Sequence, residues 1–382
     1  MEKGMLYMNT IEKIANVKEN LSARFIERED VIEGLFVSLI AGQHTLLIGP
    51  PGTGKSEIVT EFSKHIGECS YFQWLLTQFT TPDELFGPVS LDALEKGVYK
   101  RNTDQKLPKA HISFLDEIFK SNSAILNALL TLINERIYYN NGGIEQSPLL
   151  SLIGASNEYP EEEGLEALFD RFMMRYEVGY IKEEQRFLDL IAGKRPQPIN
   201  MTITVDEIQE AQNFASMVLL PDDVTSMIGE IRQELKEDGI ILSDRRFVKA
   251  IDILKAKAYL DGRMEINTTD LSILTKILWE EPDQQDTVAS IIDNYSLNVD
   301  EEVDALIQNA EQVWNHLQQD MEDHDLSNAE VTDFVIEAQR KLKEVRKEIL
   351  DLEKKFPANN KVKTAISKVD QGMDQLKKNV FA

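Results

Sequence analysis

The sequence predicts an α/β fold in which helices cover both faces of a parallel sheet, followed by an all-α part and a C-terminal helical bundle. Short apolar runs alternate with amphipathic stretches up to about residue 195, which is typical of parallel strands connected by helices. A glycine-rich segment separates the first apolar run from the next amphipathic stretch. From residue 203 to 280, the apolar residues recur at helical spacing.

The first part of the chain carries the predicted sheet. Residues 10–42 have apolar side chains at helical spacing, so two helices precede the first strand. The predicted strands follow at residues 45–48, 71–76, 112–115, 149–155 and 173–178. Because residues 193–200 contain Pro196 and Pro198, we predict a linker there. We therefore predict a large α/β domain at 1–195, a small helical domain at 196–282 and a helical bundle at 283–382.

The two helical parts differ in their apolar spacing. In the small domain, Asp244 and Thr269 stand close to plausible helix starts. In the bundle, steps of four and three residues make a narrow apolar seam on each of three predicted helices. The seam residues are Val303, Leu306, Ala310, Trp314, Leu317 and Met321; Val331, Val335, Ala338, Leu342, Val345, Ile349, Leu352 and Phe356; and Val362, Ile366, Val369, Met373, Leu376 and Val380.

Charge is segregated in the C-terminal part. Residues 277–339 contain seventeen acidic residues and no Lys or Arg, whereas residues 340–378 contain twelve basic and six acidic residues. Either the acidic helix lies beside the basic helix and neutralises it, or it presents an acidic surface to a basic partner.

The composition excludes several classes of protein. A chain of 382 residues with 42% hydrophobic residues and net charge −25 is expected to be soluble and globular. Its apolar runs are far shorter than the about 20 residues that span a bilayer, and no secretory pattern is seen, so we expect a cytoplasmic protein. Cys69 is the single cysteine and is predicted to be a packed thiol. The excess of 66 acidic over 41 basic residues makes nucleic acid the less favoured partner.

Residues 49–56 have the pattern of a phosphate-binding loop. Glycines let the backbone curl so that its N–H groups point at phosphates, while Lys55 reaches the β- and γ-oxygens and the Ser56 hydroxyl can bind Mg²⁺. A predicted strand precedes the loop, and the N-terminus of a predicted helix adds its partial positive charge. The predicted phosphate-binding residues are Gly49, Pro50, Pro51, Gly52, Thr53, Gly54, Lys55 and Ser56.

A pair of carboxylates ends a later apolar strand. Asp116 lies sixty-one residues after Lys55 and is followed directly by Glu117. Asp116 is predicted to hold Mg²⁺ together with Ser56, and Glu117 to orient or deprotonate the water that attacks a γ-phosphate. Acidic pairs at strand ends are common, so this pair indicates a functional site only because it follows a phosphate-binding loop at this distance.

These motifs resemble those of the AAA+ ATPases, and among them the MoxR family, closest to its RavA-like branch. The resemblance covers roughly residues 30–260 and rests on residues 49–56 (GPPGTGKS), 79–88 (FTTPDELFGP), 114–118 (FLDEI), 125–130 (ILNALL), 133–136 (INER), 155–158 (ASNE) and 167–172 (ALFDRF). It implies ATP as the substrate and Mg²⁺ as the cofactor.

The resemblance also implies roles for residues outside the loop. Asn157 corresponds to the first sensor, which contacts the γ-phosphate or the attacking water, although a strand-end turn would also use Asn. Arg171 corresponds to the arginine finger that reaches a neighbour's γ-phosphate. A surface ion pair with Asp170 is the alternative role for Arg171. Arg175 could share the finger role. The motif 242–247 (LSDRRF) resembles the second sensor; since adjacent side chains on a helix diverge, one of its arginines faces the phosphates, and we favour Arg245 over Arg246.

Two insertions of this branch have candidates in the sequence. Residues 97–109 and 136–148 are each predicted to form a hairpin, the second on the strength of Asn141-Gly142. In the family, such hairpins line a ring's pore; ordinary surface turns are the alternative. RavA-like proteins commonly insert a β-rich domain into the C-terminal bundle, but the nine residues between Met321 and Val331 leave no room for it.

The resemblance implies a hexameric ATP-hydrolysing ring that remodels or matures a protein client. It also implies a partner with a von Willebrand factor A (vWA) domain. Two alternatives stay open. A nucleic-acid motor would use the basic residues of the first insertion and its flank, which are Lys96, Lys100, Arg101, Lys106 and Lys109. An ATP-switched scaffold would need nucleotide binding but not turnover.

Overall fold

The computed structural model describes residues 2–160, 164–194, 196–296, 299–323, 328–355 and 360–381. The strands are β1 (Thr45–Ile48), β2 (Ile66–Gly67), β3 (Tyr71–Leu75), β4 (Ile112–Asp116), β5 (Ile137–Asn140), β6 (Gly143–Gln146), β7 (Ser151–Ser156), β8 (Met174–Glu177) and β9 (Ile203–Thr204). The α-helices are α1 (Glu2–Arg24), α2 (Glu29–Ile40), α3 (Lys55–Lys64), α4 (Pro82–Phe86), α5 (Leu91–Leu94), α6 (Ser123–Glu135), α7 (Glu166–Arg171), α8 (Glu184–Ile191), α9 (Val205–Ser216), α10 (Asp222–Glu237), α11 (Asp244–Leu260), α12 (Gln285–Asp293), α13 (Val299–Asp323), α14 (Asn328–Lys355) and α15 (Asn360–Phe381).

The central sheet is parallel, as predicted. Within the described residues its five strands run in the order β3-β4-β7-β1-β8, and every neighbouring pair is parallel. β1 and β7 are buried along their whole length, which agrees with their uninterrupted apolar and small residues. Helix α2 packs against β1 and β8, and α3 packs against β4 and β7. The predicted α/β class is therefore confirmed.

The all-α part lies beside the sheet. Helix α11 packs against α2 and α9. It begins at Asp244 because the Ser243 side chain accepts a hydrogen bond from Arg246 N, which caps the helix. A 3₁₀ segment (Thr268–Lys276) follows it and is capped by Asn267. The predicted helix starts near Asp244 and Thr269 are both present, although the second helix is of the 3₁₀ type.

The two insertions differ in structure. β5 and β6 form an antiparallel hairpin whose turn residues Asn141 and Gly142 both have positive φ, as predicted. The hairpin predicted at 97–109 is wrong, because the pairing joins residues 88–90 to residues 100–102. Ser90 N donates to the Lys100 carbonyl at 2.7 Å, and Asn102 N donates to the Pro88 carbonyl at 2.9 Å. Ser90 also caps the short helix α5, so the chain between the paired segments is partly helical.

The chain forms two compact units, one of residues 1–220 with 234–290 and the other of residues 221–233 with 291–382. The division into 1–195, 196–282 and 283–382 stays a prediction. No helix among the described residues is long and apolar enough to cross a bilayer.

Three helices of the second unit, α13, α14 and α15, pack against one another as the predicted bundle. The seam residues Val303, Leu306, Ala338, Leu342, Val345, Ile349, Leu352, Val362 and Val369 are buried. Seam positions 317, 321, 331, 335, 356, 376 and 380 lie outside the side chains that the structure describes. Lys361 pairs with Asp304 at 2.7 Å, so basic α15 contacts acidic α13, as the neutralisation hypothesis expects.

Candidate nucleotide-binding site

The loop 49–56 is shaped by its glycines. It connects β1 to α3, and Gly49, Gly52 and Gly54 all have positive φ. Gly49 N donates to the Ser156 carbonyl at 3.0 Å, which fixes the loop to β7. A Cβ on Gly49 would lie 2.2 Å from the Val178 carbonyl oxygen, so only glycine fits between the neighbouring strands. The loop therefore presents its backbone above the N-terminus of α3, as anion binding requires.

Lys55 is 6% exposed at the start of α3. Its Nζ donates to the carbonyls of Gly49 and Pro50 and, at 3.1 Å, to Asn157 Oδ1. Burial lowers the pKa of Lys55, and the nearby carboxylates of Asp116 and Glu117 oppose that shift. The ammonium is therefore held over the loop by acceptors that phosphate oxygens could replace.

The carboxylates lie at the same sheet edge, because β4 and β7 are parallel neighbours that both end there. Ser56 Oγ lies 3.4 Å from Asp116 Oδ2. Glu117 has φ 53° and accepts a hydrogen bond from Asn157 Nδ2. Lys55, Asn157 and Glu117 thus form one hydrogen-bonded chain. We call Lys55, Ser56, Asp116, Glu117 and Asn157 the phosphate site, and the structure brings these five predicted residues together.

The phosphate site fits Mg²⁺ bound together with a nucleotide. Ser56 and Asp116 offer two oxygen ligands, which is the usual protein contribution where phosphates and water complete an octahedral shell. Among the described residues, no group of three or more His, Cys, Asp and Glu side chains forms a closed metal site. The donor set therefore suits a metal that arrives with its substrate.

An apolar cavity of about 380 Å³ lies beside the loop. Its walls include Phe25, Ile26, Ile58, Tyr180, Phe187 and Leu190, together with Gly52, Thr53 and Gly54. The size and lining suit a nucleoside next to bound phosphates. Sequence reasoning missed this cavity, because its walls come from segments far apart in the chain. The one local signal was the pair Phe25-Ile26 between two predicted helices.

Arg28 and Glu27 hold two of these segments together. Arg28 donates to the carbonyls of Gly179 and Thr53, so it links the loop to the chain after β8. The Glu27 carboxylate accepts the backbone N–H groups of Lys182 and Glu183, each at 2.9 Å. The cavity wall is thus fixed by hydrogen bonds that do not depend on a ligand.

The predicted arginines form a second group around α7, which we call the arginine cluster: Arg171, Arg175, Arg245 and Arg246. Arg171 ends α7 with its side chain 20% exposed, and its Nη1 lies 3.2 Å from Asp170 Oδ2. Arg245 is exposed and donates to Asn134 Oδ1 at 2.6 Å. Burial lowers the pKa of Arg171, and the positive charge of Arg245 lowers it further, so the two cations lie near each other.

Arg175 and Arg246 are buried, each 1% exposed. Arg246 donates to the carboxylate and carbonyl of Asp170 and to the carbonyl of Ile277. Arg175 donates to the carbonyls of Phe169, Phe172 and Trp279. Arg246, the alternative to Arg245 as the predicted phosphate-facing arginine, is therefore engaged with α7 in this structure, and the geometry favours Arg171 over Arg175 for contact with a neighbour.

A strand, a phosphate-binding loop, a helix and an acidic pair at the end of β4, one strand removed from β1 in the sheet, have the arrangement expected of a P-loop ATPase. A family profile described as the MoxR domain in MoxR-vWA-beta-propeller ternary systems matches residues 12–213, and an AAA lid domain profile matches residues 223–292. The chain belongs to the MoxR family of AAA+ ATPases.

Several known proteins are similar to this chain. Two uncharacterized proteins of Methanocaldococcus jannaschii are 41% identical over 286 residues and 42% identical over 272 residues, which cover 74% and 71% of this chain and 74% and 72% of theirs. Chaperone MoxR1 of Mycobacterium tuberculosis is 27% identical over 201 residues, 50% of this chain and 51% of that protein. A crystal structure assigned as an ATPase, from Cytophaga hutchinsonii, shares the fold with TM-score 0.63 and 18% identity, covering 77% of this chain and 97% of that one.

Proposed function

We propose that this MoxR-family protein is a Mg²⁺-dependent ATPase that works as a cytoplasmic ring of six identical subunits and remodels a protein client. The observation that carries the proposal is the hydrogen-bonded chain from Lys55 through Asn157 to Glu117, directly above the glycine-rich loop. In this proposal, the ammonium, the amide and the carboxylate of that chain act together on one terminal phosphate and one attacking water.

Each residue of the phosphate site has a distinct task in this mechanism. Lys55 exchanges its carbonyl acceptors for phosphate oxygens, and the loop N–H groups bind the remaining phosphate charge. Ser56 and Asp116 would hold Mg²⁺, which would supply positive charge beside the phosphate oxygens. Glu117 accepts the proton of the attacking water, while Asn157, already bonded to Glu117, orients that water.

The site needs charge from a second subunit. The charge of Arg245 acts on Arg171, and the contacts of the described structure join the two arginines to Asn134 and Asp170 rather than to the loop. Arg171 Nε is also buried without a partner among the described residues. We infer that both guanidiniums reach the nucleotide of a neighbouring copy, where they stabilise charge on the transferred phosphoryl group, so Arg245 acts in a neighbour's site rather than as the second sensor of its own subunit.

The client surface is assigned to the insertions. Tyr99, Tyr139 and Ile144 are large apolar side chains that stay more than half exposed there. A vWA-domain protein is the proposed partner, because the matching profile describes MoxR domains of systems that contain such proteins. Membership of the RavA-like branch stays a prediction.

A nucleic-acid motor is less well supported. Three of the five basic residues that would line its pore are engaged within the protein. Arg101 pairs with Asp83, Lys109 pairs with Glu145 at 3.2 Å, and Lys106 donates to the Glu84 carbonyl at 3.0 Å. Their charge is therefore partly satisfied before any phosphate backbone arrives.

Mixed rings test the shared site. Lys55→Ala abolishes nucleotide binding and Arg171→Ala removes the finger, so each variant alone is expected to be inactive. A mixture is expected to regain turnover wherever an intact loop faces an intact Arg171. Arg340→Ala, an exposed arginine of α14, is the control and is expected to turn over at the parental rate. An inactive mixture of assembled rings would contradict the proposal.

The client is tested with Glu117→Gln, which is expected to hold ATP without turnover. Affinity recovery in ATP and Mg²⁺, followed by mass spectrometry, is expected to yield a vWA-domain protein. Recovery of nucleic acid that salt releases would favour the motor instead.

A further inference from the structure

Arg246 is built into the protein as a bridge. Its side chain is fully buried, and its guanidinium donates to Asp170 Oδ1 at 2.9 Å, to the Asp170 carbonyl at 3.0 Å and to the Ile277 carbonyl at 2.9 Å. Burial raises the pKa of Asp170, but Arg246 together with the charges of Arg175 and Arg171 opposes burial, and the pKa of Asp170 is lowered. Arg246 therefore joins α11 and the chain after the 3₁₀ segment to the residue directly before Arg171.

Arg175 makes a parallel bridge from β8. Its guanidinium lies 3.8 Å from the centre of the Phe169 ring and donates to the Phe169 carbonyl at 3.2 Å. It also donates to the Trp279 carbonyl, and Trp279 packs against Phe169. Two buried guanidiniums thus bind the carbonyls of Phe169, Asp170 and Phe172 at the C-terminal end of α7, where the helix dipole favours cations.

Helix α7 cannot fix its own direction. It has six residues, which is too short for a helix to be stable without packing, and Arg171 is its last residue. The orientation of Arg171 therefore depends on what binds the last turn. Arg246 binds that turn from α11, the helix that also carries Arg245.

We propose that Arg246 is a positioning residue that holds the Arg171 helix against α11, so that Arg171 and Arg245 reach a neighbour's nucleotide as one rigid unit. Arg246 itself does not contact nucleotide. This inference rests on the proposed role of Arg171 in a neighbour's site. It differs from a second-sensor role for Arg246, in which the arginine would act on the nucleotide of its own subunit.

Mixed rings distinguish the two roles. A positioning residue affects turnover only when its own subunit supplies Arg171 and Arg245 to a neighbour's site, whereas a second sensor affects turnover only when its own subunit holds the nucleotide. Arg246→Lys keeps the charge, but its single ammonium nitrogen cannot span the acceptors that the two guanidinium nitrogens reach, Ile277 on one side and Asp170 on the other. Asp170→Asn keeps the size and removes the charge that Arg246 binds, and it serves if Arg246→Lys does not fold. Each substitution is combined with Lys55→Ala to make a subunit that can only donate. Each is also made with an intact loop, as a subunit that can accept.

The first mixture tests donation to Arg171→Ala subunits. The double variant Lys55→Ala, Arg246→Lys is expected to restore about 100-fold less turnover to them than the single variant Lys55→Ala does, because misplacing a catalytic group by about 1 Å can cost that much. As an acceptor beside Lys55→Ala subunits, Arg246→Lys is expected to recover turnover with KM changed by less than about twofold. Asp170→Asn is expected to behave in the same way.

Arg263→Lys is the matched control, because Arg263 pairs with buried Asp270 in the same helical part without contacting α7. It is expected to donate as well as the parent. Full restoration by the Arg246→Lys and Asp170→Asn donors would overturn the inference, as would a raised KM in the acceptors. If Lys55→Ala fails to restore Arg171→Ala, the proposed shared site falls and the inference falls with it.

Discussion

Around the phosphate site, the polar side chains contact one another, whereas the arginines of the arginine cluster bind acceptors on several separate elements. Lys55 and Glu117 both bond to Asn157 within one small pocket. Arg245 instead bonds to α6, Arg246 to α7, and Arg175 to the chain at Trp279. The phosphate site is thus assembled within one sheet edge, and the arginine cluster depends on how separate elements pack.

The difference indicates how each region can respond to a ligand. Within the phosphate site, a bound nucleotide would replace existing hydrogen bonds without moving the sheet. In the arginine cluster, the exposed Arg171 and Arg245 are carried by elements that the buried Arg175 and Arg246 hold together. Substitutions in the phosphate site are therefore expected to reduce catalysis without unfolding the protein. Substitutions of the buried arginines of the arginine cluster are expected to reduce stability as well.

The largest expected effect separates chemistry from binding in the phosphate site. Glu117→Gln removes the proposed base while its amide can still bond to Asn157, so kcat is expected to fall about 10²- to 10⁴-fold. ATP affinity and the unfolding midpoint are expected to stay near the parental values. Steady-state turnover and equilibrium binding of a fluorescent ATP analogue measure both.

Lys55→Ala is the contrasting variant, because it removes the phosphate contact itself. It is expected to lose ATP binding together with turnover. If Glu117→Gln supports client remodelling while Lys55→Ala does not, the protein is an ATP-switched scaffold, and hydrolysis is not its working step.

The next effect is on stability and belongs to the arginine cluster. Arg175→Met leaves the carbonyls of Phe169, Phe172 and Trp279 without their donor, and the unfolding free energy is expected to fall by about 3 kcal/mol. Urea unfolding measures the change. Arg171→Met is the control: its side chain is partly exposed and, within the described part of the chain, paired only with Asp170, so a change of about 0–1 kcal/mol is expected. Equal losses in both variants would remove the distinction between buried and exposed arginines.

The same contrast explains what could be predicted from the sequence. Residues 49–56 specify their own backbone geometry, and Asp116 and Asn157 end strands that parallel pairing brings to one edge. Local pattern therefore sufficed for the sheet, the loop and the acidic pair, whereas the role of Asn157 came from the family resemblance. The hairpin at 97–109 was mispredicted because the capping of α5 by Ser90 moved the pairing to residues 88–90.

The arginines were harder to predict for a physical reason. Arg245 and Arg246 are neighbours on one helix, and the sequence shows only that they diverge. Which of them is buried depends on Asp170 and Ile277, which come from distant segments. The apolar cavity at Phe25 and Phe187 likewise exists only once α8 lies beside the loop.

A smaller effect on the free energy of unfolding tests whether close packing at Gly49 constrains the loop of the phosphate site. Gly49→Ala places a Cβ 2.2 Å from the Val178 carbonyl oxygen, so the strands must shift and the unfolding free energy is expected to fall by about 1–3 kcal/mol. Gly52→Ala is the matched control, since nothing lies within 4 Å of its Cβ and the substitution strains φ alone. It is expected to lose about 1 kcal/mol. A larger loss from Gly52→Ala would show that close packing at Gly49 is not the constraint.

The smallest expected effect comes from mild acid and acts at the opposite end of β1 from the loop. His44 is buried. Its Nδ1 accepts from Leu152 N, and its Nε2 lies within hydrogen-bond distance of the Arg136 guanidinium and the Ile133 carbonyl. Burial is the largest cause that holds the pKa of His44 well below 6.5, and the positive charge of Arg136 is the next. The unfolded chain binds the proton near pH 6.5, so stability is full above that pH and falls as pH decreases, by at most about 1.4 kcal/mol per unit. His44→Gln is expected to be less stable at neutral pH but to lack this decrease of stability with falling pH. The free energy of unfolding is measured for both proteins from pH 7.5 to 5.5. Subtracting one curve from the other removes the contribution of the carboxylates that both proteins share. Because neither the phosphate site nor the arginine cluster contains this histidine, ATP affinity per folded molecule is expected to follow the same pH course in both proteins; a divergence would mean that the amino end of β1 controls the loop at its other end.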